Sequence, residues 1–221
     1  SKKLASLGDI YVNDAFSCSH RKHSSISGIT KFVPSYAGLH MIKEINALGQ
    51  ITKNIKKPVS CIIGGSKIST KINVIKNLVK LYDNIIIVGA MANNFIMYNG
   101  GGIGKSFFER GSNKIVETIY EATEKYNCKI ICPLDVSVGK NLNDTSINKE
   151  INDIDDDDLI LDVGLKTIKL IKDIIINSKT ILWNGPAGYI ENEPVLEVYS
   201  DVDETSIVKL PVLPLRDIVV F

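Results

Sequence analysis

The chain has 221 residues, 44% of them hydrophobic and 23% charged, enough for a substantial core and room for one large domain or one and a half. A formal net charge of +1 points to neither nucleic acid nor a membrane surface as a partner. No apolar run reaches membrane-spanning length, and the opening SKKLASLGDI is not a charged-then-apolar leader. Cys18, Cys61, Cys128 and Cys132 follow neither zinc nor disulfide spacing and are expected to be reduced thiols of a cytoplasmic protein.

In chain order, DIYVNDAF predicts a strand, followed by the basic run His20, Arg21, Lys22, His23 with Ser24 and Ser25. An arginine there offers a planar fork to a phosphate or carboxylate, and an exposed basic turn is an equal alternative. Residues 36 to 54 predict an amphipathic helix with Leu39, Ile42, Ile45 and Leu48 in one stripe, flanked by prolines and placed like a connector between two bodies.

From residue 58 onward short apolar runs alternate with segments of helical period. The runs are Val59 to Ile63, Asn84 to Val88, Lys129 to Cys132, Leu159 to Asp162 and Thr180 to Trp183. The helical segments carry Ile68, Ile72, Ile75 and Val79, then Ile115, Val116, Ile119 and Ala122, then Ile168, Ile171 and Ile174. This alternation predicts an α/β fold with a doubly wound parallel sheet of at least five strands, covered on both faces.

NGGGIGKSFF resembles the end of a P-loop, but Asn99 stands where G-x-x-x-x-G-K-[ST] requires its first glycine, and a helix precedes it. A turn is expected instead. A dinucleotide fingerprint fails too, because GGSKIS lacks the third glycine of G-x-G-x-x-G. Ligands of open parallel sheets bind beyond the carboxyl ends of the strands. Those ends read GGSKISTK, GAMANN, PLD, DVGLKT and WNGPAG. In the first, Ser66 is expected to cap a helix beginning at Lys67, with Lys67 and Lys71 on one face of it above a phosphate. The acidic run Asp155 to Asp158 is expected to be a solvated loop rather than a cation site.

Together, KKLASLGDIYVNDAF, HRKHSS, GGSKISTK, GAMANNF, GKSFFE, LDVG and WNGPAG resemble the phosphoglycerate kinase family over residues 1 to about 193. The resemblance implies phosphoryl transfer between ATP/ADP and 3-phosphoglycerate/1,3-bisphosphoglycerate in glycolysis, with Mg2+, by a cytoplasmic monomer acting on small molecules. It assigns Arg21 to phosphoglycerate, with His20 beside it, and Lys67 and Lys71 to the nucleotide phosphates and the transferring group. Gly65 and Ser66 form the adjoining loop, Gly89 lies near the adenosine, Asn184 and Pro186 touch nucleotide, and Glu191 takes the ribose. Arg21, Lys67 and Lys71 are the expected catalytic residues, and no residue of this chain is expected to ligate the metal.

The implied organisation is a remnant of the N-terminal substrate domain (1–35), a connecting helix (36–55), the nucleotide-binding domain (56–193) and an unrelated tail (194–221). LPVLPLRDIVVF in that tail resembles the opening of Lon-type proteases. Three positions depart from the family pattern. Ile160 replaces a frequent glycine and is expected to narrow the adenine pocket, Leu165 replaces a frequent proline, and Ala90 a glycine. Most of the family's N-terminal domain and its late magnesium-holding GGGDT loop have no counterpart. A truncated homologue, inactive alone, is therefore expected; the alternative is a non-catalytic remnant that binds nucleotide.

Overall fold

The computed structural model describes residues 1–53, 55–188 and 218–220. The chain divides into two compact units, one containing Ser1–Ile55 and the other beginning at Lys56.

The first unit holds α1 (Lys2–Ala5), β1 (Tyr11–Asn13), β2 (Ser35–Ala37) and α2 (Leu39–Lys53). β1 and β2 pair in parallel, with Tyr11 opposite Ser35 and Asn13 opposite Ala37. The predicted strand stops at Asn13 because Asp14 turns away to cap α2. Its Oδ1 accepts the Met41 N–H at 3.0 Å, supplying an acceptor that the helix start lacks. Gly38 permits this approach, since a Cβ there would lie 2.2 Å from the same oxygen. The helix expected from residue 36 begins at Leu39, because Ser35–Ala37 is committed to pairing with β1. Its stripe is uncovered at Leu39, Ile42 and Ile45, whereas Ala47 is buried. A sheet of two short strands offers too little surface to cover it.

The second unit runs β3 (Val59–Ile63), α3 (Ile72–Leu78), β4 (Asn84–Ile87), α4 (Ala92–Tyr98), α5 (Asn113–Tyr126), β5 (Lys129–Ile131), β6 (Asp135–Gly139), β7 (Ile147–Glu150), β8 (Leu159–Val163), α6 (Leu165–Ile176) and β9 (Thr180–Asn184). A short strand, β10 (Ile218–Val220), ends the described residues. β3 pairs in parallel with β4 on one side and β9 on the other, and β4 continues in parallel to β5. On one face, Ile62 and Ile86 pack with Ile171 and Ile175 of α6. Alternate residues Cys61, Ile63, Ile85 and Ile87 point the other way and are as deeply buried, so both faces are covered.

One expected strand is elsewhere. Leu159–Val163 does not join the parallel sheet; it pairs antiparallel with β6, whose other edge pairs antiparallel with β7. An apolar run specifies burial but not the partner strand. Here β6 follows β5 after only Cys132, Pro133 and Leu134, and it captures β8. This smaller sheet has its own core of Ile96, Ile103, Val136 and Val138, joined by Phe108, Ile151, Ile154 and Ile160. Cys61 and Cys128 are buried, Cys18 and Cys132 half-buried, and all four are free thiols.

Candidate functional site

The strand order locates the site. From β3 the chain steps outward through β4 and β5, then returns to β9 on the opposite side of β3. The crevice outside the carboxyl ends of β3 and β9 is therefore a topological switch point, where open α/β sheets bind ligands. In register, Ile63 stands beside Asn184 at these ends.

Three loops interlock there. The Gly64 N–H donates to the Asn184 carbonyl at 2.7 Å, Gly89 N–H to the Ala187 carbonyl at 2.7 Å, and Met91 N–H to the Gly65 carbonyl at 2.8 Å. Glycine is required by close approach: a Cβ on Gly64 would lie 1.8 Å from the Pro186 carbonyl oxygen, and one on Gly89 2.9 Å from it. Gly65 and Gly89 also have φ of +129° and +67°, which residues with a side chain rarely adopt. The Lys71 ammonium spans the loops, lying 2.5 Å from Asn184 Oδ1. Thus Gly65, Lys71, Gly89, Asn184 and Pro186 are brought together around one crevice. Asn184 is buried.

Lys67 and Ser66 are arranged differently from the expectation. No continuous helix starts at Lys67, and Ser66 makes no cap. Lys67 is extended (φ −119°, ψ 115°), Ile68–Thr70 forms a single tight turn, and α3 begins only at Ile72. The reason is Ile68, which is fully buried and pins the turn to the core before the helix can start. Lys67 and Lys71 therefore do not share a helical face. Ser66 and Lys67 are exposed, and Lys71, which reaches Asn184, is half-buried.

Two of the strand ends that the sequence offered to a ligand already hold carboxylates of the protein. Asp135, which is buried, accepts from the backbone N–H of Lys166 (3.0 Å) and of Thr167 (2.8 Å) and from the Thr167 hydroxyl (2.7 Å), capping α6. Gly164 makes room, since a Cβ there would lie 2.3 Å from the Asp135 carboxyl carbon. Glu109 Oε2 accepts the Ser69 N–H at 3.0 Å at the turn after Lys67. Hydrogen bonds from the Ser69 hydroxyl and backbone hold its pKa below the ordinary glutamate value. DVGLKT is thus closed to an anion, and in GGSKISTK the Ser69 amide is already taken by Glu109.

Asp162 is buried at the end of β8, where its carboxylate accepts the Val163 N–H at 2.7 Å and abuts Gly188. Desolvation pushes its pKa up to about 6. The acidic run is only partly the solvated loop expected. Asp158 is buried and accepts from Lys149 (2.7 Å) and Lys140 (2.9 Å), which hold its pKa well below the ordinary aspartate value. Asp155, Asp157 and Asp158 approach one another closely enough for a cation, but lysine ammonium groups occupy the position, so no cation site is assigned.

Ile160 turns its side chain into the core of the smaller sheet, and its N–H donates to Ser106 Oγ at 2.8 Å. The Leu165 N–H donates to Asn148 Oδ1 at 3.2 Å, a bond that a proline could not make. In the first unit His20 and Arg21 are exposed beyond the turn Phe16–Cys18, with the Arg21 N–H on the Cys18 carbonyl at 3.0 Å. Glu191 and most of the tail resembling Lon-type proteases lie outside the described residues. Sequence reading missed Asp135, Glu109 and Asn94. Each acts across the chain on a distant backbone group, and no local spacing reports such a contact.

Comparison with known proteins places this architecture. Residues 1–205 match the family described as phosphoglycerate kinase. The phosphoglycerate kinase of Wolbachia pipientis (strain wPip) is 47% identical over 210 residues, covering 91% of this chain and 53% of that protein. That of Finegoldia magna is 44% identical over 195 residues, covering 87% and 49%. The structure of phosphoglycerate kinase from Coxiella burnetii superposes with a TM-score of 0.77 at 34% identity, over 87% of this chain and 50% of that one. The chain spans about half the length of the relatives it matches. It belongs to the phosphoglycerate kinase family.

Proposed function

We propose that this chain contributes the nucleotide-binding part of a phosphoglycerate kinase, which transfers a phosphoryl group between ATP/ADP and the carboxyl group of 3-phosphoglycerate in glycolysis. The observation that carries the reading is the Lys71–Asn184 contact at the switch point, framed by glycine loops that admit a ligand to the backbone. Phosphoryl transfer asks little covalent chemistry of a protein; alignment and neutralisation of charge supply most of the rate. Lys67 and Lys71 would neutralise the nucleotide phosphates, Gly65, Ser66, Asn184 and Pro186 would shape their loop, Gly89 would border the adenosine, and Glu191 would take the ribose. Arg21, with His20, would hold phosphoglycerate. Mg2+ enters with the nucleotide as part of the substrate. In domain terms, 1–35 would belong to the substrate domain, 36–55 to the connection and 56–193 to the nucleotide domain. A cytoplasmic monomer follows from the same reading.

A second reading is supported by the half-length match: the 221-residue chain as it stands binds nucleotide without useful turnover. Arg21 is the one phosphoglycerate-binding arginine assigned here, and a single charge-assisted contact contributes about 1.5–3 kcal/mol. Millimolar binding already requires about 4 kcal/mol. A coupled kinase assay with parallel ADP calorimetry tests both readings. ADP binding with negligible turnover is expected. Turnover within about tenfold (1.4 kcal/mol) of an intact homologue would overturn the inactivity, and absence of ADP binding would overturn the nucleotide reading.

A further inference from the structure

A closed circuit of hydrogen bonds surrounds the segment that carries Lys67. The Gly65 carbonyl accepts from Met91 N–H (2.8 Å), and the Met91 carbonyl accepts from Asn94 Nδ2 (3.2 Å). Asn94 Oδ1 accepts the Glu109 N–H (2.9 Å), and Glu109 Oε2 accepts the Ser69 N–H (3.0 Å), four residues along from Gly65. Asn94 is buried, and its oxygen also takes the Ser112 hydroxyl at 2.9 Å, which fixes the amide from the start of α5. Ser66, Lys67 and Ile68 close the circuit between Gly65 and Ser69. Ile68 is held by the core, and the Lys67 carbonyl accepts the Thr70 hydroxyl at 2.8 Å.

We propose that Glu109 is a positioning residue: a strut, itself seated on Asn94, that holds the Lys67–Thr70 turn so that Lys67 stands ready at the lip of the crevice for a nucleotide phosphate. This rests on the nucleotide reading above for its purpose, but not for its geometry. A carboxylate suits the task. It takes the turn's free amide without supplying a donor, and it bars an anion from that amide, leaving phosphate recognition to Lys67, Lys71 and the glycine loops. An apolar side chain would leave Ser69 N–H free and Lys67 on a loose tether.

The test uses the full chain with Glu109→Ala, Glu109→Asp and Glu109→Gln, read by amide exchange at Ser69 and by titration with ADP and with adenosine. E109A should speed exchange at Ser69 about tenfold or more and weaken ADP severalfold while leaving adenosine unchanged. A side chain important only for general stability would weaken both ligands alike. E109D keeps the charge but withdraws the oxygen, so it should behave as E109A does, and it serves if E109A does not fold. E109Q retains an acceptor and should restore most of the protection. Unchanged Ser69 exchange in E109A or E109D, or equal weakening of ADP and adenosine, overturns the strut. A parent chain that binds no ADP refutes the nucleotide reading instead, and the exchange measurement still decides the strut.

Discussion

The ammonium of Lys71 sits 2.5 Å from the side-chain oxygen of Asn184, across 113 residues of chain. Two segments that share no local signal meet because β3 and β9 are neighbours in the sheet, with Ile63 paired to Asn184. The contact orients a cation at the crevice while the rest of the ammonium can meet a ligand.

Lys71→Ala removes that cation. A hydrogen bond to a charged group contributes about 1.5–3 kcal/mol, so ADP affinity should fall by roughly ten- to more than a hundredfold. Calorimetric titration reads this directly. An unchanged isotherm would exclude a phosphate role for Lys71.

Gly64→Ala places a methyl group 1.8 Å from the Pro186 carbonyl oxygen, backbone that cannot swing aside. The β3 and β9 loops must separate, and the expected cost is about 1–3 kcal/mol with a matching loss of ADP binding. A melting curve and titration on the same sample test it. Retention of both values would show that the loops part freely.

Asp135→Ala removes the acceptor for two N–H groups at the start of α6 and for the Thr167 hydroxyl; the two bonds to Thr167 are buried and the one to Lys166 partly so. Loss of a cap and of buried charge-assisted bonds predicts about 2–4 kcal/mol of destabilisation by urea unfolding. Asp135→Asn, which keeps one acceptor, should lose less.

Asp162 and Asp158 should respond to pH in opposite senses. The Asp162 pKa is raised to about 6 from 3.8, so its contribution is fully favourable below the unfolded value and is lost as pH climbs through about 6. On this count burial of the ionised form costs about 3 kcal/mol at neutral pH, and Asp162→Asn should stabilise the chain at pH 7 but not at pH 4. Asp158 has a lowered pKa, so its contribution is present above the unfolded value and fades as pH falls. Urea midpoints at both pH values for D162N and the parent chain decide the first claim, and equal shifts at the two values would refute it.

Much of this was legible in the sequence because it is local. Runs such as Val59 to Ile63 specify strands buried on both faces, and the period of Ile115, Val116, Ile119 and Ala122 specifies a helix, whose buried residues are Val116, Ile119 and Thr123. The glycines of GGSK and WNGPAG marked the ends where a ligand approaches backbone, and the joint motifs pointed to the family. Pairing was not legible. The run Leu159 to Asp162 reads as a strand like the others, yet Leu159–Val163 pairs antiparallel with β6, because strand partners are chosen by competition for edges across the whole chain. The same holds for the helix expected at Lys67: burial of Ile68 broke it into a turn and a later helix, a tertiary demand overriding local period. Three side chains that sequence reading missed, Asp135, Asn94 and Glu109, satisfy backbone amides 31, 15 and 40 residues away. Composition and spacing determine which groups must be satisfied, and only the folded chain decides which distant neighbour satisfies them.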